Sequence, residues 1–471
     1  MRHISTRGEA SALGFADVML AGLARDGGLY VPETWPRLDR DTILGFAGRP
    51  YAEVAVEVIR RFTEDSIGEA DLARMAREAY GNFRHSAVAP LTQLGVNTFA
   101  LELFHGPTLA FKDLAMQLLA RLMDHVLAAR GERRTIVVAT SGDTGGAAVE
   151  AFRDRNQVDV IVLFPNGRIS DVQRRMMTTA AAANIHAVAI EGTFDDCQAI
   201  VKGLFNHPAF RERVRLSGVN SINWARIVAQ TVYYFTAAVS LGAPHRKVAF
   251  TVPTGNFGDI YAGYVAQKLG LPIDRLVIAT NVNDILARTL ATGTYELRDV
   301  VPTTSPSMDI QVSSNFERLL FDAYDRDGNL VRSLMGALAQ SRRFTLSARA
   351  LAYVRALFTA DRADEEEVAA TMRTVKRETG NFVDPHTAVG IAVAEKEMRD
   401  PAVPMVVLAT AHPAKFPNAV EAACGVRPRL PEWLCDLDKR PERVTVLPVD
   451  QSAVERFVLS TSRAAQEGAA A

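Results

Sequence analysis

Residues Thr135–Phe164 read TIVVATSGDTGGAAVEAFRDRNQVDVIVLF and contain two apolar, β-branched runs on either side of an Ala-rich segment. The runs Thr135–Thr140 and Val158–Phe164 have the nearly continuous apolar character of strands that are buried on both faces. The segment Thr144–Phe152 between them has the composition of a helix. Two buried strands joined by a helix form a parallel β-α-β unit, so this stretch predicts a doubly wound α/β fold.

The same alternation of strand and helix continues on the C-terminal side. Strands are predicted at Ile185–Ile190, Lys247–Val252, Leu276–Thr280 and Met405–Thr410, with helical segments between them. The pattern lapses between residues 281 and 384, where Ser, Pro and charged helices dominate.

These changes of pattern divide the chain into four segments. Residues 1–92 are predicted to form a helical N-terminal domain, residues 93–245 and 246–430 two α/β domains, and residues 431–471 a C-terminal extension with a frayed tail.

The composition of the chain excludes several classes of function. The chain has 471 residues and a net charge of −1, so no basic surface predicts a nucleic-acid partner. No stretch approaches the roughly 20 apolar residues that cross a membrane, and the three cysteines show no CxxC spacing. Neither the cysteines nor the nine histidines have metal-ligand spacing, so no metal site is predicted. We expect a soluble, cytoplasmic protein.

The stretch His105–Leu119, HGPTLAFKDLAMQLL, places one lysine between a Gly-Pro bend and an apolar helical run. Lys112 is predicted to lie at the junction of loop and helix, flanked by apolar side chains. A lysine that loses water there has a lowered pKa and becomes a nucleophile for a carbonyl cofactor. From this stretch alone, a solvated lysine at a helix start remains the alternative.

Three glycine-rich or hydroxyl-rich loops follow predicted strands, where ligands collect in α/β sheets. The loop TSGDTGG, residues 140–146, offers backbone amides and hydroxyls at a helix N-terminus, although an ordinary strand-to-helix turn has the same pattern. The loop TGNFGD, residues 254–259, offers a second amide-rich helix N-terminus that fits a phosphate. It matches neither a Walker loop nor a GxGxxG turn.

The third loop, ATAHPAKF, spans residues 409–416. Thr410 is predicted to end its strand with the hydroxyl directed into the cleft. Lys415 would begin the next helix, where a cation is unfavourable unless an anion is close, although a solvated lysine also fits the pattern.

Together these motifs, in this order, resemble the fold-type II pyridoxal-phosphate enzymes, which share the fold of the tryptophan synthase β subunit. In detail they resemble the threonine synthase family in its longer bacterial and fungal form. Further stretches that resemble this family are STRG near the start, SINWARI at 221–227, PSMDIQVSSNFERLLF at 306–321 and DPHTAVG at 384–390. The resemblance extends to about Phe416 and implies two α/β domains with pyridoxal 5′-phosphate in the cleft between them.

The resemblance implies a role for each motif in binding the cofactor. Lys112 would hold the cofactor as an imine and then act as general base and acid. The cofactor phosphate would lie on the GNFGD loop, formed by Gly255, Asn256, Phe257, Gly258 and Asp259. Thr410 would contact the pyridine nitrogen. Asp143 would lie near the cofactor's 3′-hydroxyl, where relatives of this fold often carry asparagine.

The implied substrate is O-phosphohomoserine. Its carboxylate would rest on Ser141, Gly142 and Thr144. By the same resemblance its phosphate would contact Asn220 and Arg226, because a buried arginine is a common partner of phosphate. Arg226 could equally face outward from an amphipathic helix, and Lys415 is an additional candidate from its position in the third loop.

The resemblance implies γ-elimination of phosphate followed by β-addition of water, yielding threonine, in a monomer or homodimer. One alternative keeps the cofactor but releases 2-oxobutanoate, as a phospho-lyase or dehydratase would. Another is a cofactor- or phospho-ligand-binding protein without catalysis. The role of residues 1–92 is open beyond an expectation that they bring Arg7 near the substrate.

Overall fold

The computed structural model describes residues 1–470, apart from the side chains of residues 65 and 468–470. Most strands are short runs of buried β-branched residues, in agreement with the apolar runs of the sequence. In chain order they are β1 Arg2–Ser5, β2 Leu13–Gly14, β3 Tyr30–Pro32, β4 Leu91–Gln93, β5 Thr98–Glu102, β6 Arg134–Ala139, β7 Val158–Pro165, β8 Ile185–Ile190, β9 Leu216–Ser217, β10 Val248–Pro253, β11 Ile273–Thr280, β12 Thr294–Glu296, β13 Arg343–Thr345, β14 Phe358–Arg362, β15 Met405–Ala409 and β16 Thr445–Leu447.

Helices connect the strands and cover the faces of the sheets. In chain order they are α1 Phe15–Ala21, α2 Arg40–Leu44, α3 Tyr51–Thr63, α4 Glu69–Tyr80, α5 Lys112–Arg130, α6 Asp143–Phe152, α7 Asp171–Thr178, α8 Phe194–Phe205, α9 Pro208–Arg213, α10 Trp224–Ser240, α11 Gly258–Lys268, α12 Ile285–Thr292, α13 Phe316–Ala323, α14 Gly328–Ser341, α15 Ala348–Arg355, α16 Glu365–Thr379, α17 Pro385–Glu397, α18 Pro417–Cys424, α19 Gln451–Thr461 and α20 Arg463–Ala470.

Two parallel sheets form the centre of the fold. The larger has the strand order β14-β11-β10-β15-β5-β4, and all its neighbours are parallel except β4 and β5. The smaller has the order β16-β8-β7-β6-β9 and is entirely parallel. Strands β7, β10 and β15 are buried along their whole length, as expected for sheets covered on both faces. The predicted doubly wound α/β class is confirmed.

The order of strands in the larger sheet brings three loops together. Because β10, β15 and β5 are parallel neighbours, the loops that follow them leave from the same edge of the sheet. These are the loops that contain GNFGD, Thr410 and Lys112. In the smaller sheet, the loop after β6 begins with Thr140 and the loop after β9 begins with Gly218.

The strands do not follow the predicted domain boundaries. Strand β5 was grouped with residues 93–245 but pairs with β15 in the larger sheet. Strand β16 lies in the predicted C-terminal extension but pairs with β8 in the smaller sheet. The C-terminal tail, which was predicted to be frayed, is instead helical. Residues 463–470 form α20, in which Ala464 and Ala465 are buried.

Two other segments contain strands that the sequence pattern did not indicate. The N-terminal segment, predicted to be helical, includes the antiparallel sheet β2-β1-β3, whose strands of two to four residues are too short for a periodic signal. The segment 281–384 contributes β14, an edge strand of the larger sheet with polar residues at its end.

Within residues 1–470, no helix has the length and apolar character needed to cross a membrane.

Candidate functional site

A cavity of about 1240 Å³ lies between the carboxyl ends of the two parallel sheets. Its wall includes twelve of the fourteen residues predicted to form the site. They are Lys112, Ser141, Asp143, Thr144, Asn220, Arg226, Gly255, Asn256, Phe257, Gly258, Asp259 and Thr410. The two others, Gly142 and Lys415, are not on this wall.

Lys112 is the first residue of α5, and its side chain is only 11% exposed. Its ammonium lies 4.7 Å from the centre of the Phe111 ring and 3.5 Å from Asp143 Oδ2. Burial lowers the pKa of Lys112, and the nearby cations Lys415 and Arg226 lower it further, whereas Asp143 acts in the opposite direction. The alternative of a solvated lysine at a helix start is therefore excluded.

Backbone hydrogen bonds fix the Lys112 loop against the Thr410 loop. The Phe111 amide donates to the Thr410 carbonyl at 2.9 Å, and the His412 amide donates to the Leu109 carbonyl at 3.0 Å. Leu109 adopts a left-handed conformation with φ of 60° to make this turn. The Thr410 side chain lines the cavity and makes no hydrogen bond within residues 1–470. Its hydroxyl is thus available to a ligand close to Lys112.

Asp143 begins α6 and is the anionic centre of the site. Its Oδ1 atom accepts a hydrogen bond from Gln173 Nε2 at 3.0 Å and pairs with the Lys415 ammonium at 2.7 Å. Burial alone would raise the pKa of Asp143, but Lys415 and Lys112 hold it well below its usual range. Asp143 is therefore a carboxylate across the physiological pH range.

The prediction that Gly142 contacts the substrate is not supported. Its amide already donates to Thr140 Oγ1 at 2.9 Å. A Cβ atom at Gly142, whose φ is 135°, would meet the Gln173 side chain at 2.4 Å. Glycine is needed here because the loop passes against Gln173, which in turn binds Asp143.

The environment of Lys415 also differs from the one that was predicted. Its side chain is 1% exposed, and besides Asp143 it donates to the Thr108 carbonyl at 2.8 Å. Asp143 lines the cavity whereas Lys415 does not, so the Lys415 ammonium is bound to Asp143 and to the Thr108 carbonyl from behind the wall residue. This geometry does not favour the predicted contact of Lys415 with the substrate phosphate.

The N-terminus of α11 has free backbone amides. The amides of residues 255–258 donate to no acceptor within residues 1–470, and no side chain caps the helix. Phe257 precedes the helix with a φ of 62°, and its ring packs between Phe316 and Phe358 at centroid distances of 5.3 and 5.6 Å. A helix N-terminus with unpaired amides is a binding site for an anion such as phosphate.

Asp259 is the second residue of this helix, and its carboxyl group is largely occupied. Its Oδ1 atom accepts hydrogen bonds from the hydroxyls of Tyr233 and Tyr234, whereas Oδ2 is buried without a partner. Burial raises the pKa of Asp259 to about 7, although the two tyrosines oppose the shift. A carboxyl group that is half neutral near pH 7 repels an adjacent phosphate less than an ordinary aspartate would.

Asn220 and Arg226 provide buried polar atoms without partners. Arg226 is 2% exposed, and its guanidinium donates to the Val219 carbonyl at 3.2 Å while Nε has no partner. Asn220 Oδ1 is likewise buried and without a partner. The alternative that Arg226 faces outward is excluded. A buried guanidinium without a carboxylate within 4 Å in the described residues is suited to an anionic ligand.

The chain matches three protein family models over most of its length. They are "Threonine synthase N terminus" at residues 2–80, "Pyridoxal-phosphate dependent enzyme" at residues 85–334 and "Threonine synthase, C-terminal" at residues 387–458. The threonine synthase of Pseudomonas aeruginosa is 54% identical over 97% of this chain and 98% of its own length. The chain belongs to the threonine synthase family.

Solved structures of the threonine synthase family share the fold of this chain. The PLP-bound threonine synthase from Brucella melitensis is 61% identical, with a TM-score of 0.96, over 98% of this chain and 100% of that one. The threonine synthase from yeast is 37% identical, with a TM-score of 0.92, over 98% of both chains. The fold-type II assignment and pyridoxal phosphate as the cofactor are confirmed.

The residues of this threonine synthase family member fit pyridoxal phosphate on structural grounds. The cofactor presents an aldehyde, a phosphate and a pyridine ring to the protein. The cavity offers the Lys112 amine, the free amides of α11 and the free hydroxyl of Thr410, one group for each. Among the side chains that the structure describes, no cluster of three or more potential ligands could hold a metal ion.

Several residues on the wall were not predicted individually. Ser307 and His386 lie in stretches that carry the family resemblance, and both line the cavity. The Ser307 amide donates to His386 Nε2 at 3.2 Å, and Asp384 Oδ2 lies 2.6 Å from His386 Nδ1. The presence of histidine after Asp-Pro at a helix start was the only signal in the sequence, and it did not indicate which loop the side chain would reach.

Arg7 lies on the cavity wall. This position agrees with the expectation that the N-terminal segment brings Arg7 near the substrate. Its guanidinium, however, donates two hydrogen bonds to Glu317, at 3.1 and 3.0 Å. Because this pairing satisfies most of its charge, Arg7 is less free to bind an anion than Arg226 is.

Proposed function

We propose that this chain converts O-phospho-L-homoserine and water into L-threonine and inorganic phosphate. The observation that supports this most is that one cavity combines the buried Lys112 with two separate anion-binding features, the α11 N-terminus and Arg226. A cofactor phosphate and a substrate phosphate are two anions, so a site for this reaction needs both features.

The reaction moves protons among three adjacent carbons of the substrate. Phosphate leaves from Cγ, a hydroxyl from water is added at Cβ, and Cγ ends with one more hydrogen than it had. Pyridoxal phosphate, when bound, supplies the electron-withdrawing group that allows a proton to leave Cα. The Lys112 amine is the group in the cavity suited to take and return these protons, because its pKa is lowered by burial.

In this proposal Lys112 also anchors the cofactor, and the amides of residues 255–258 bind its phosphate. The Thr410 hydroxyl would donate to the pyridine nitrogen, and as a neutral partner it would not force that nitrogen to carry a proton. Asp143, at the start of α6, would lie near the cofactor's 3′-hydroxyl. The free amides of α11 and the unpaired Thr410 hydroxyl support this assignment.

The substrate is assigned to the other wall of the cavity. Ser141 and Thr144, at the start of α6, are proposed to bind its carboxylate. Asn220 and Arg226 are proposed to bind its phosphate, and their unpaired buried atoms support this role. We further propose that the chain acts as a monomer or homodimer in the cytoplasm.

A product assay tests this proposal. Purified enzyme loaded with pyridoxal phosphate and incubated with O-phospho-L-homoserine should release threonine and phosphate in equal amounts. If 2-oxobutanoate and ammonia are the main products, the enzyme is a phospho-lyase and the proposal is wrong. If homoserine and phosphate are the products, the substrate is merely hydrolysed and the proposal is equally wrong.

A further inference from the structure

Lys415 is a buried cation that the proposed reaction does not use. It lies in the loop after β15, where its ammonium contacts Asp143 Oδ1 at 2.7 Å and the Thr108 carbonyl at 2.8 Å. A lysine with 1% exposure has lost nearly all its contact with water, and such burial is costly unless the charge is paired. The pairing with Asp143 therefore needs a physical explanation.

The two oxygens of Asp143 have different partners. Oδ1 is saturated by Lys415 and by Gln173 Nε2, which donates at 3.0 Å. Oδ2 is left with longer contacts, to Lys112 Nζ at 3.5 Å and to Ser307 Oγ at 3.4 Å. One carboxylate thus serves two lysines, and the shorter ion pair is with Lys415.

The position of Lys415 is held by the surrounding loop. Asp113 accepts hydrogen bonds from the Thr108 amide and hydroxyl, both at 2.7 Å, and this fixes the carbonyl that Lys415 binds. A Cβ atom at Gly106 would lie 2.5 Å from Asp113, so the bend before Thr108 requires glycine to close on this carboxyl. Ser170 Oγ donates to the Lys415 carbonyl at 3.4 Å. Lys415 therefore cannot turn toward the cavity without breaking these contacts.

A carboxylate beside Lys112 has an unfavourable consequence for catalysis if it is not neutralised. It would stabilise a positive charge on the Lys112 nitrogen, and a protonated amine is neither a nucleophile nor a base. A second cation bound to the same carboxylate removes most of that effect.

We propose that Lys415 is a positioning residue that binds Asp143 as its own counter-ion, so that the Lys112 nitrogen stays uncharged when a proton must be taken up. This inference rests on the proposed role of Lys112 in binding the cofactor and moving protons. It replaces the predicted contact of Lys415 with the substrate.

The charges around Lys112 agree with this role. After burial, which lowers the pKa of Lys112 most, the strongest influence is Asp143, which raises it, followed by Lys415 and Arg226, which lower it. Asp259 also faces Lys112, from α11. Among these charged groups, Lys415 and Lys112 are the two that contact Asp143 directly.

The test is a pH titration of the visible absorbance of the cofactor-loaded enzyme without substrate. This absorbance reports the protonation of the Lys112 nitrogen in its link to the cofactor, independently of turnover. In Lys415→Met the midpoint should rise by about one pH unit or more, a roughly tenfold change in the ratio of protonated to neutral form. In Asp143→Asn it should fall, because Lys415 then acts without its counter-ion.

Two further variants serve as matched controls. Lys415→Arg keeps the charge and should restore a midpoint closer to that of the wild type than Lys415→Met does. Asp143→Asn/Lys415→Met lacks both charges, and its midpoint should lie above that of Asp143→Asn and below that of Lys415→Met. Circular dichroism verifies that each variant is folded.

An unchanged midpoint in Lys415→Met, or a double variant shifted as far as Lys415→Met, would overturn the inference. If Lys415→Met does not fold, the comparison of Asp143→Asn with the double variant decides, and equal midpoints contradict the inference. Threonine formation is measured on the same samples. If Lys415→Met shows no midpoint shift while the wild type forms threonine, the role of Lys415 is wrong and the proposed function is unaffected. If the wild type forms no threonine, the proposed function is wrong.

Discussion

Lys112 owes its chemical character to what surrounds it, since its side chain is only 11% exposed and lies between a phenyl ring and a carboxylate. We expect Lys112→Ala to lose the visible absorbance of the bound cofactor and to form threonine at least about a thousandfold more slowly, because it lacks both the anchor and the base. Lys247→Ala, at an exposed position outside the cavity, is the matched control and should retain both properties. Threonine formation by Lys112→Ala at a rate near that of the wild type would contradict the assigned role.

Asp259 provides a second prediction at the scale of a single residue. Burial raises its pKa from 3.8 to about 7 in the folded protein. The folded state therefore binds this proton more tightly than the unfolded state does, and the stability that the proton contributes is lost as the pH rises from 3.8, the unfolded-state pKa, to about 7, the folded-state pKa, above which the loss is constant. The side chain in Asp259→Asn stays neutral and can still accept hydrogen bonds from the tyrosines. The difference in melting temperature between Asp259→Asn and the wild type should therefore increase in favour of the variant from about pH 5 to about pH 8.

Thermal unfolding of each protein at pH 5 and at pH 8 measures this effect. Asp438→Asn, at an exposed position, is the reference substitution. A difference between Asp259→Asn and wild type that stays constant with pH, or that worsens as the pH rises, would rule out the assigned pKa.

The motifs around Lys112 and Thr410 could be identified from the sequence because each consists of consecutive residues. That they lie in one cleft was implied only by the family resemblance, because β5, which precedes Lys112 and pairs with β15, was not predicted from the local pattern. Lys415 and Gly142 were predicted as substrate contacts, but the structure places them against Asp143 and Gln173, which come from other segments of the chain. Spacing along one loop cannot reveal such long-range pairing.

At the scale of elements, the N-terminus of α11 is shaped by close packing of its loop. A Cβ atom at Gly255 would lie 2.8 Å from the Ser307 carbonyl oxygen. Gly255→Ala should therefore displace the loop and weaken cofactor binding by roughly 10- to 100-fold, which corresponds to an overpacking cost of about 1–3 kcal/mol. Titration of pyridoxal phosphate into cofactor-free enzyme measures the affinity.

Gly68→Ala is the matched control for this substitution, because the nearest atom to a Cβ there is 3.9 Å away and the site lies outside the cavity. It should bind the cofactor as the wild type does. Equal affinity in Gly255→Ala would mean that the loop is not packed closely against the Ser307 carbonyl.

Most strands and helices around the site could be predicted because buried parallel strands are apolar throughout. The exceptions have physical reasons. Strand β14 ends in Asp361 and Arg362 at the edge of its sheet, where one side is not paired and polar residues are tolerated. Strand β16 is three residues long and half exposed, which is too short for a periodic signal.

At the scale of the whole molecule, the C-terminal segment completes the smaller sheet. Val454, Val458 and Ala465 belong to the same apolar cluster as Ile161 and Val188 of its central strands. Arg463 Nε donates to Asp159 Oδ1 at 2.7 Å, which ties α20 to β7. The predicted domain division did not group this segment with the smaller sheet, because the segment returns to a strand, β8, that lies some 250 residues before β16 in the chain.

Substitution of a valine in this segment measures its contribution to stability. Val458→Ala removes a fully buried side chain and should lower the free energy of unfolding by about 1.5–3 kcal/mol. Val446→Ala, in β16 but 49% exposed, should change it by less than about 0.5 kcal/mol. Chemical denaturation of both variants compares them, and equal effects would show that the C-terminal helices are not part of the core.

In the proposed reaction phosphate leaves from Cγ with its bridging oxygen, and water then adds to Cβ. The most direct test is the reaction of O-phospho-L-homoserine in water labelled with oxygen-18, followed by mass spectrometry of both products. We expect one labelled oxygen in the threonine hydroxyl and none in the released phosphate. Label in the phosphate together with homoserine, or 2-oxobutanoate in place of labelled threonine, would contradict it.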